Sequence, residues 1–324
     1  MIKKERKKTI ALRKLEALDR RLHPAHHKKQ SIADKLGSEK AGFRGEVALD
    51  YHLTFLPNEN YYIFHNLRLQ DNKKRYFQID TLILTTKFHL ILDTKNFSGT
   101  LFFDQEFQQL VRTNQNESKA YSDPILQIKR QRLQLQSWLN DHQFPLAPIF
   151  PFVIISFPST TIQTNPQYAH LLRNVIHSAA LPFKVEELEK NHHPTLLTKK
   201  ELNVISRKLI KKHVPNNPDI LAKYQIRKED IIPGVYCNNC LSFSMKREWG
   251  NWKCKQCNHM DPTAHLSALE DYSLLFGQNI TNPELRAFLG IESESVARKI
   301  LTSVCHETFG EKKNRGYKIP MWLD

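Results

Sequence analysis

Hydrophobic positions along the chain change period several times, and each change marks an element. Near the start, Leu12, Leu15, Leu18 and Leu22 recur at helical spacing among basic residues, predicting an amphipathic helix. A second helix is predicted over 38–53, with Phe43, Val47 and Tyr51 four residues apart on one face. Short runs rich in Ile, Leu, Phe and Tyr follow at 61–69, 77–86, 89–97 and 99–104, separated by charged or Thr-Thr-Lys breaks, and read as strands. The stretch 122–142 reads as a helix, with Ser122 or Asp123 as cap and Pro124 in the first turn, and 151–157 as a buried strand. Together these predict one mixed α/β domain over 37–157.

Beyond it, Pro158, Pro166, Pro182, Pro194, Pro215 and Pro218 cut 158–231 into short pieces, which either finish the edge of the first domain or bridge to the next. One helix stands out there, because Thr198 and Glu201 form a capping box ahead of Leu202, Ile205 and Leu209. A cysteine module is predicted over 232–262. From 263 to 324 the pattern turns helical again, after a basic helical arm (1–36), the α/β domain and the connecting segment.

Composition changes the picture in two places. With 324 residues, 40% hydrophobic and 25% charged, the chain can bury two or three cores and is not a disordered protein. No apolar run reaches the ~18–20 residues of a bilayer span, and the N-terminus lacks the apolar stretch of a secretory signal, so a cytoplasmic protein with no transmembrane segment is expected. The net charge of +15 is uneven: residues 1–30 hold eleven Lys/Arg against three acids, a net +8. Such a helix suits phosphates, anionic lipid or a protein partner, or docks on its own chain.

Chemistry concentrates between 78 and 99. Side chains two apart on a strand share a face, so Asp93 and Lys95 point the same way, and Asp80 precedes them by the span of a short hairpin. Two carboxylates and a lysine at one sheet edge are the minimum for metal-assisted phosphodiester hydrolysis, with Glu46 able to join from the preceding helix. The plainer alternative is a surface ion pair worth under ~1 kcal/mol. Against it, Asp93 interrupts the apolar run Leu90-Ile91-Leu92.

Gly45-Glu46, Gln78-Ile79-Asp80, Asp93-Thr94-Lys95-Asn96, Gly99, and Pro124 with Gln127 together resemble the nuclease-related domain (NERD) family, over about 37–157. That family is similar to the PD-(D/E)xK restriction-endonuclease-like superfamily. The resemblance implies a mixed sheet flanked by helices and a Mg²⁺- or Mn²⁺-dependent nuclease acting on DNA, in a bacterial setting. It also implies Glu46, Asp80 and Asp93 as metal ligands, Lys95 as the catalytic lysine, and Gln127 as a catalytic-site polar group. The family usually places Glu where this chain has Asp93, one methylene shorter. A chain that keeps the fold as a non-catalytic nucleic-acid-binding or scaffold protein is the alternative.

Cys237-x-x-Cys240 and Cys254-x-x-Cys257 are spaced to close a tetrahedral structural Zn²⁺ site, and the segment resembles a zinc ribbon with a hairpin turning at Gly250-Asn251. Lys246, Arg247, Trp249, Trp252, Lys253 and Lys255 give that hairpin a mixture able to grip phosphates and stack bases, unless the tryptophans only pack a small core. Cys305 reads as a buried small apolar residue. In the tail, Thr281 or Asn282 caps a helix with Pro283 in its first turn, Gly290 breaks it, and a second helix begins near Ser293. This resembles bacterial helix-turn-helix segments presenting Ser295, Arg298 and Lys299, with a winged hairpin tipped by Lys312, Lys313 and Arg315.

Overall fold

A computed structural model describes residues 1–56, 61–115, 117–192, 194–311 and 315–320, in two compact units. The first comprises Met1–Lys8 and Ser38–Asn216; the second comprises Thr9–Gly37 and Asn217–Asp324. The chain begins with strand β1 (Ile2–Lys4), then helices α1 (Ile10–Arg21) and α2 (Lys29–Leu53). The expected helical arm over 1–36 is therefore divided: its first residues are extended and lie in the first unit, because β1 pairs parallel to β2 (Tyr62–Gln70) with Ile2 against Ile63 and Lys4 against Phe64.

The first unit is built on a six-stranded mixed sheet. Its central hairpin joins β3 (Tyr76–Leu84) to β4 (His89–Lys95); β5 (Thr100–Asp104), β6 (Gln109–Asn114) and β7 (Glu117–Ser122) follow, then helix α3 (Pro124–Asp141) and β8 (Ile149–Ile155). After these come β9 (Thr161–Thr164), β10 (Val175–His177), α4 (Leu181–Asn191) and α5 (Lys199–Lys212). The large sheet has the order β1-β2-β3-β4-β8-β10, with β2, β3 and β4 antiparallel and β4, β8 and β10 parallel. A smaller sheet has the order β7-β6-β5-β9. Of the two fates open to 158–231, the stretch up to 216 finishes the first domain, since β10 adds a strand beside β8 and β9 one beside β5.

The faces of the large sheet carry separate cores. On one, Ile91 and Val153 pack with Ile125, Ile128 and Leu135 of α3 and with Leu202, Ile205 and Leu209 of α5. On the other, Ile83, Leu90, Leu92 and Ile154 pack with Leu49 and Leu53 of α2. The buried stripe of α2 thus runs through Gly45, Leu49 and Leu53, whereas Val47 and Tyr51 of the expected stripe are exposed. Both stripes have the four-residue spacing, and the sheet takes the one that starts with glycine. A Cβ on Gly45 would meet Asn96 Cβ at 2.4 Å and Ser156 Oγ at 2.6 Å, so only glycine lets α2 approach this closely.

In the second unit α1 buries Leu12, Leu15 and Leu18 against α7 (His265–Phe276). Arg13 Nη2 lies 2.6 Å from Glu270 Oε1, Arg21 Nε 2.7 Å from Asp271 Oδ2, and Arg20 bonds the same carboxylate. The amphipathic helix therefore docks on its own chain. Helix α6 (Ile220–Tyr224) leads to a four-stranded sheet of β11 (Val235–Cys237), β12 (Ser242–Glu248), β13 (Asn251–Cys254) and β14 (Met260–Asp261). Beyond α7 come β15 (Asn279–Thr281), α8 (Asn282–Leu289), α9 (Glu294–Val304), β16 (Glu307–Phe309) and β17 (Gly316–Lys318). Thr281 and Glu284 form a capping box on α8, Gly290 ends it at φ 68°, and Ser293 caps α9. Ser295, Arg298 and Lys299 are exposed on α9, and β16 pairs antiparallel with β17, its first strand lying before the 310–320 stretch in which a hairpin is expected. Lys312 and Lys313 at its expected tip lie outside the described residues.

Candidate functional site

The register of the β3–β4 hairpin builds the site. Thr81 pairs with Leu92 at the last step of the ladder, so one residue further out Asp80 and Asp93 stand opposite each other as the strands part. Thr94 N–H donates to Asp80 Oδ2 at 3.2 Å, fixing the outer carboxylate on the β4 backbone. Asp93 is buried, and Lys95 Nζ lies 2.8 Å from its Oδ2. Alternation along β4 thus puts the acid and the lysine together, as expected.

Gln127, one turn into α3, ties the pair. Asp123 caps this helix by accepting from Ile125 N at 2.7 Å, and Pro124 occupies its first turn, which sets where the Gln127 side chain begins. Its Nε2 donates to Asp93 Oδ1 at 2.7 Å while its Oε1 accepts from Lys95 Nζ at 3.1 Å. The amide therefore has one orientation, with its oxygen toward the ammonium and its nitrogen toward the carboxylate.

Glu46 reaches the same region from α2, on the other side of the sheet. Its Oε2 accepts from Arg6 Nη1 at 2.7 Å and from Asn66 Nδ2 at 3.2 Å. Arg6 also donates to Asp50 through Nε and Nη2, to Thr81 Oγ1 at 3.0 Å, and lies 2.8 Å from His65 Nδ1. Because an arginine has no acceptor, His65 Nδ1 must be the accepting nitrogen of a neutral ring, and burial followed by Arg6 and Lys4 holds this histidine down to about 3.

Burial pushes the carboxyls of Asp80, Asp93 and Glu46 up from the ordinary range. Asp93 and then Glu46 add to the effect at Asp80, while Arg6 opposes it at Glu46. For Lys95, burial works against the charge, yet Asp93, Asp80 and Glu46 outweigh it and the ammonium is held above its usual value. Three buried carboxyls thus share this region with Lys95, and Arg6 lies against Glu46; a divalent cation is a charge that buried carboxyls of this kind can accommodate in place of protons. Asp93 Oδ2 faces Lys95 Nζ at 2.8 Å while its Oδ1 accepts from Gln127, so both oxygens of this buried carboxylate are engaged by the site itself.

Two other motif residues are structural. Asn96 Nδ2 donates to Ala41 O at 2.7 Å, tying β4 to α2 beside Gly45. Gly99 sits at φ 93°, with the Thr113 carbonyl 2.3 Å from where a Cβ would be. Arg6, Asp50, His65, Asn66 and Thr81 were not legible as site residues. Arg6 lies in a run of like charges that reads as a solvated face, and its burial depends on the pairing of β1 with β2, about sixty residues away.

In the second unit, Cys237, Cys240, Cys254 and Cys257 bring their sulfurs together: Cys237 and Cys257 at 3.7 Å, Cys240 and Cys254 at 3.5 Å. Four sulfurs in this array can hold a metal ion. Gln256 N and Cys257 N both donate to Cys254 Sγ at 3.4 Å, and Ser244 Oγ lies 2.9 Å from it. Burial pushes this thiol up, but the Ser244 hydroxyl and the two N–H groups outweigh it and bring it down to about 5, whereas at Cys237 burial dominates and pushes the thiol up to about 11, so the case for a metal rests on the gathering of the four sulfurs. Cys305 is buried, and burial raises its thiol to about 11.

Residues 41–156 match the model of the nuclease-related domain family. No curated protein and no solved structure matches the chain. Glu46, Asp80, Asp93, Lys95 and Gln127 all fall inside the matched span, although the helix that carries Glu46 begins before it, so the chain carries a nuclease-related domain over 41–156. No helix among the described residues is long and apolar enough to cross a membrane.

Proposed function

We propose that the nuclease-related domain is a metal-dependent nuclease that hydrolyses phosphodiester bonds in DNA, acting in a bacterial cytoplasm. The observation that carries this reading is the Asp93–Lys95–Gln127 triangle at the end of β4, facing Asp80 within the matched domain. Asp80 and Asp93 would hold Mg²⁺ or Mn²⁺, with Glu46 joining directly or through water once it parts from Arg6. The ion would acidify a water and neutralise charge on the scissile phosphate. Lys95 orients the attacking water and offsets developing phosphoryl charge, and Gln127 holds Lys95 and Asp93 in register. The four cysteines would hold a structural Zn²⁺, since four thiolates leave no open position for substrate.

A second reading, a nucleic-acid-binding or scaffold protein without turnover, is favoured by one observation. Glu46 is held by Arg6 and Asn66 rather than left open to an ion. The two readings separate when linear, circular and single-stranded DNA are incubated with the protein and Mg²⁺ or Mn²⁺ beside a Lys95→Ala variant. Metal-dependent cleavage abolished by Lys95→Ala supports the nuclease. Equal inertness of both proteins on every substrate assigns the binding role instead.

A further inference from the structure

The two tryptophans of the cysteine module have opposite environments. Trp252 is fully buried, with its indole Nε1 donating to His265 Nδ1 at 3.1 Å and Arg247 over its ring. Trp249 is fully exposed at the tip of the β12–β13 hairpin. The pair Glu248 and Asn251 closes this hairpin, leaving Trp249 at φ 46° and Gly250 at φ 88° as its two loop residues. Positive φ at both positions is the pattern of a type I′ turn, which strongly prefers Asn, Asp or Gly at the first. A bulky residue there costs stability through its backbone and, being exposed, regains none through packing.

Charge next to the tip is equally unfavourable for the isolated module. Lys246 and Lys253 are directly opposed across the ladder, a like-charge pair that weakens a hairpin. Between 242 and 258 the chain has Lys246, Arg247, Lys253 and Lys255 against the single acid Glu248. Glu248 is engaged by Lys255 and also feels Lys253, Arg247 donates to Pro262 O at 3.4 Å, and Lys246 Nζ lies beside Gly290, so one acid serves the whole basic cluster. An exposed indole at a position that disfavours it, next to two opposed lysines, is complemented by a flat π-face linked to phosphates.

We propose that the β12–β13 hairpin tip binds single-stranded nucleic acid, with Trp249 stacking on an unpaired base and Lys246 and Lys253 holding flanking phosphates. A duplex hides its base faces except at its ends, so the indole selects single strands. The proposal stands independently of cleavage by the nuclease-related domain.

The test uses the full chain without added divalent metal, so that cleavage does not interfere. Labelled single-stranded DNA and RNA 20-mers, a blunt DNA duplex of the same sequence and anionic vesicles serve as probes, over a salt series. Trp249→Ala should weaken single-strand affinity about tenfold, Trp249→Phe by less than about threefold, and duplex affinity should hardly change. Lys246→Gln with Lys253→Gln should flatten the log–log salt slope for single strands by about 1.4. Unchanged thermal unfolding and metal content would show that each variant is folded. Absence of single-strand binding by the wild type, equal single-strand affinity of Trp249→Ala, or a loss confined to the vesicles would each overturn the proposal.

Discussion

Arg6 Nη1 lies 2.7 Å from Glu46 Oε2, so a residue of the N-terminal segment holds the acid that α2 brings to the site. Arg6 is almost wholly buried and also serves Asp50, His65 and Thr81. Removing it leaves Glu46 as a largely buried carboxylate without its cation, whereas Asp50 keeps solvent access. Arg6→Met should therefore destabilise the protein by roughly 3 kcal/mol, the low end for breaking a buried pair. Adding Glu46→Gln should recover part of that loss, because the two side chains interact directly. Urea unfolding of both single variants and the double variant checks this, and strictly additive losses would contradict the coupling.

The Asp93 side chain is enclosed on two sides, by Lys95 Nζ at 2.8 Å and Gln127 Nε2 at 2.7 Å. An extra methylene in that space pushes the carboxylate into one partner or the other. Although the family usually has Glu at this position, Asp93→Glu is expected to cost about 1–3 kcal/mol through overpacking and to lower any metal-dependent cleavage. Cleavage by Asp93→Glu above the wild-type level would show that the Asp93 site is instead a degenerate form of the longer ligand.

Local rules made the β3–β4 hairpin, the helix starts at Ser122 or Asp123, Thr198, Thr281 or Asn282 and near Ser293, and the Asp93–Lys95 face legible in the sequence, because each depends on residues within a few positions; the β12–β13 hairpin turns at Trp249-Gly250, one residue before the expected Gly250-Asn251. The long-range features were not. The choice between two equally spaced stripes on α2 depended on a close approach at Gly45 to Asn96 and Ser156. The division of 1–36 depended on β1 finding β2, and helix α4, with Pro182 in its first turn, lay hidden among prolines that read as breaks. Within the site, the Gln127 bridge was reachable only through family resemblance, since nothing local ties 127 to 93.

The cysteine array makes a sharper claim about metal than the acidic site does, because its four sulfurs already lie within reach of one ion. Freshly prepared protein should carry about one Zn²⁺ per chain by elemental analysis. Cys254→Ala should lose the metal and unfold the β11–β14 sheet, since a structural ion supplies much of the folding free energy of so small a module. Metal-free protein with an unaltered unfolding transition would remove the zinc assignment.

His89 offers a test of pH dependence away from the proposed metal ligands. It is fully buried on β4 between Leu84 and Ile149, and burial pushes its imidazole down to about 4. Between pH 6.5 and 4 the unfolded chain binds a proton at this residue and the folded chain does not, so stability rises with pH through that window. The contribution is complete above about 6.5 and is lost as pH falls toward 4, by an amount of order 3 kcal/mol. Asp80, Asp93 and Glu46, whose folded carboxyls are raised, act in the opposite sense: they favour the fold at low pH and cease to as pH rises. The two trends overlap, so a wild-type pH profile alone cannot isolate the histidine. Subtracting the profile of His89→Leu, which removes the titrating ring and leaves the carboxyls in place, does isolate it. The stability difference between the two proteins should shift in favour of the variant as pH falls from 6.5 to 4 and stay constant above 7, and a flat difference across that range would show that the folded imidazole titrates normally.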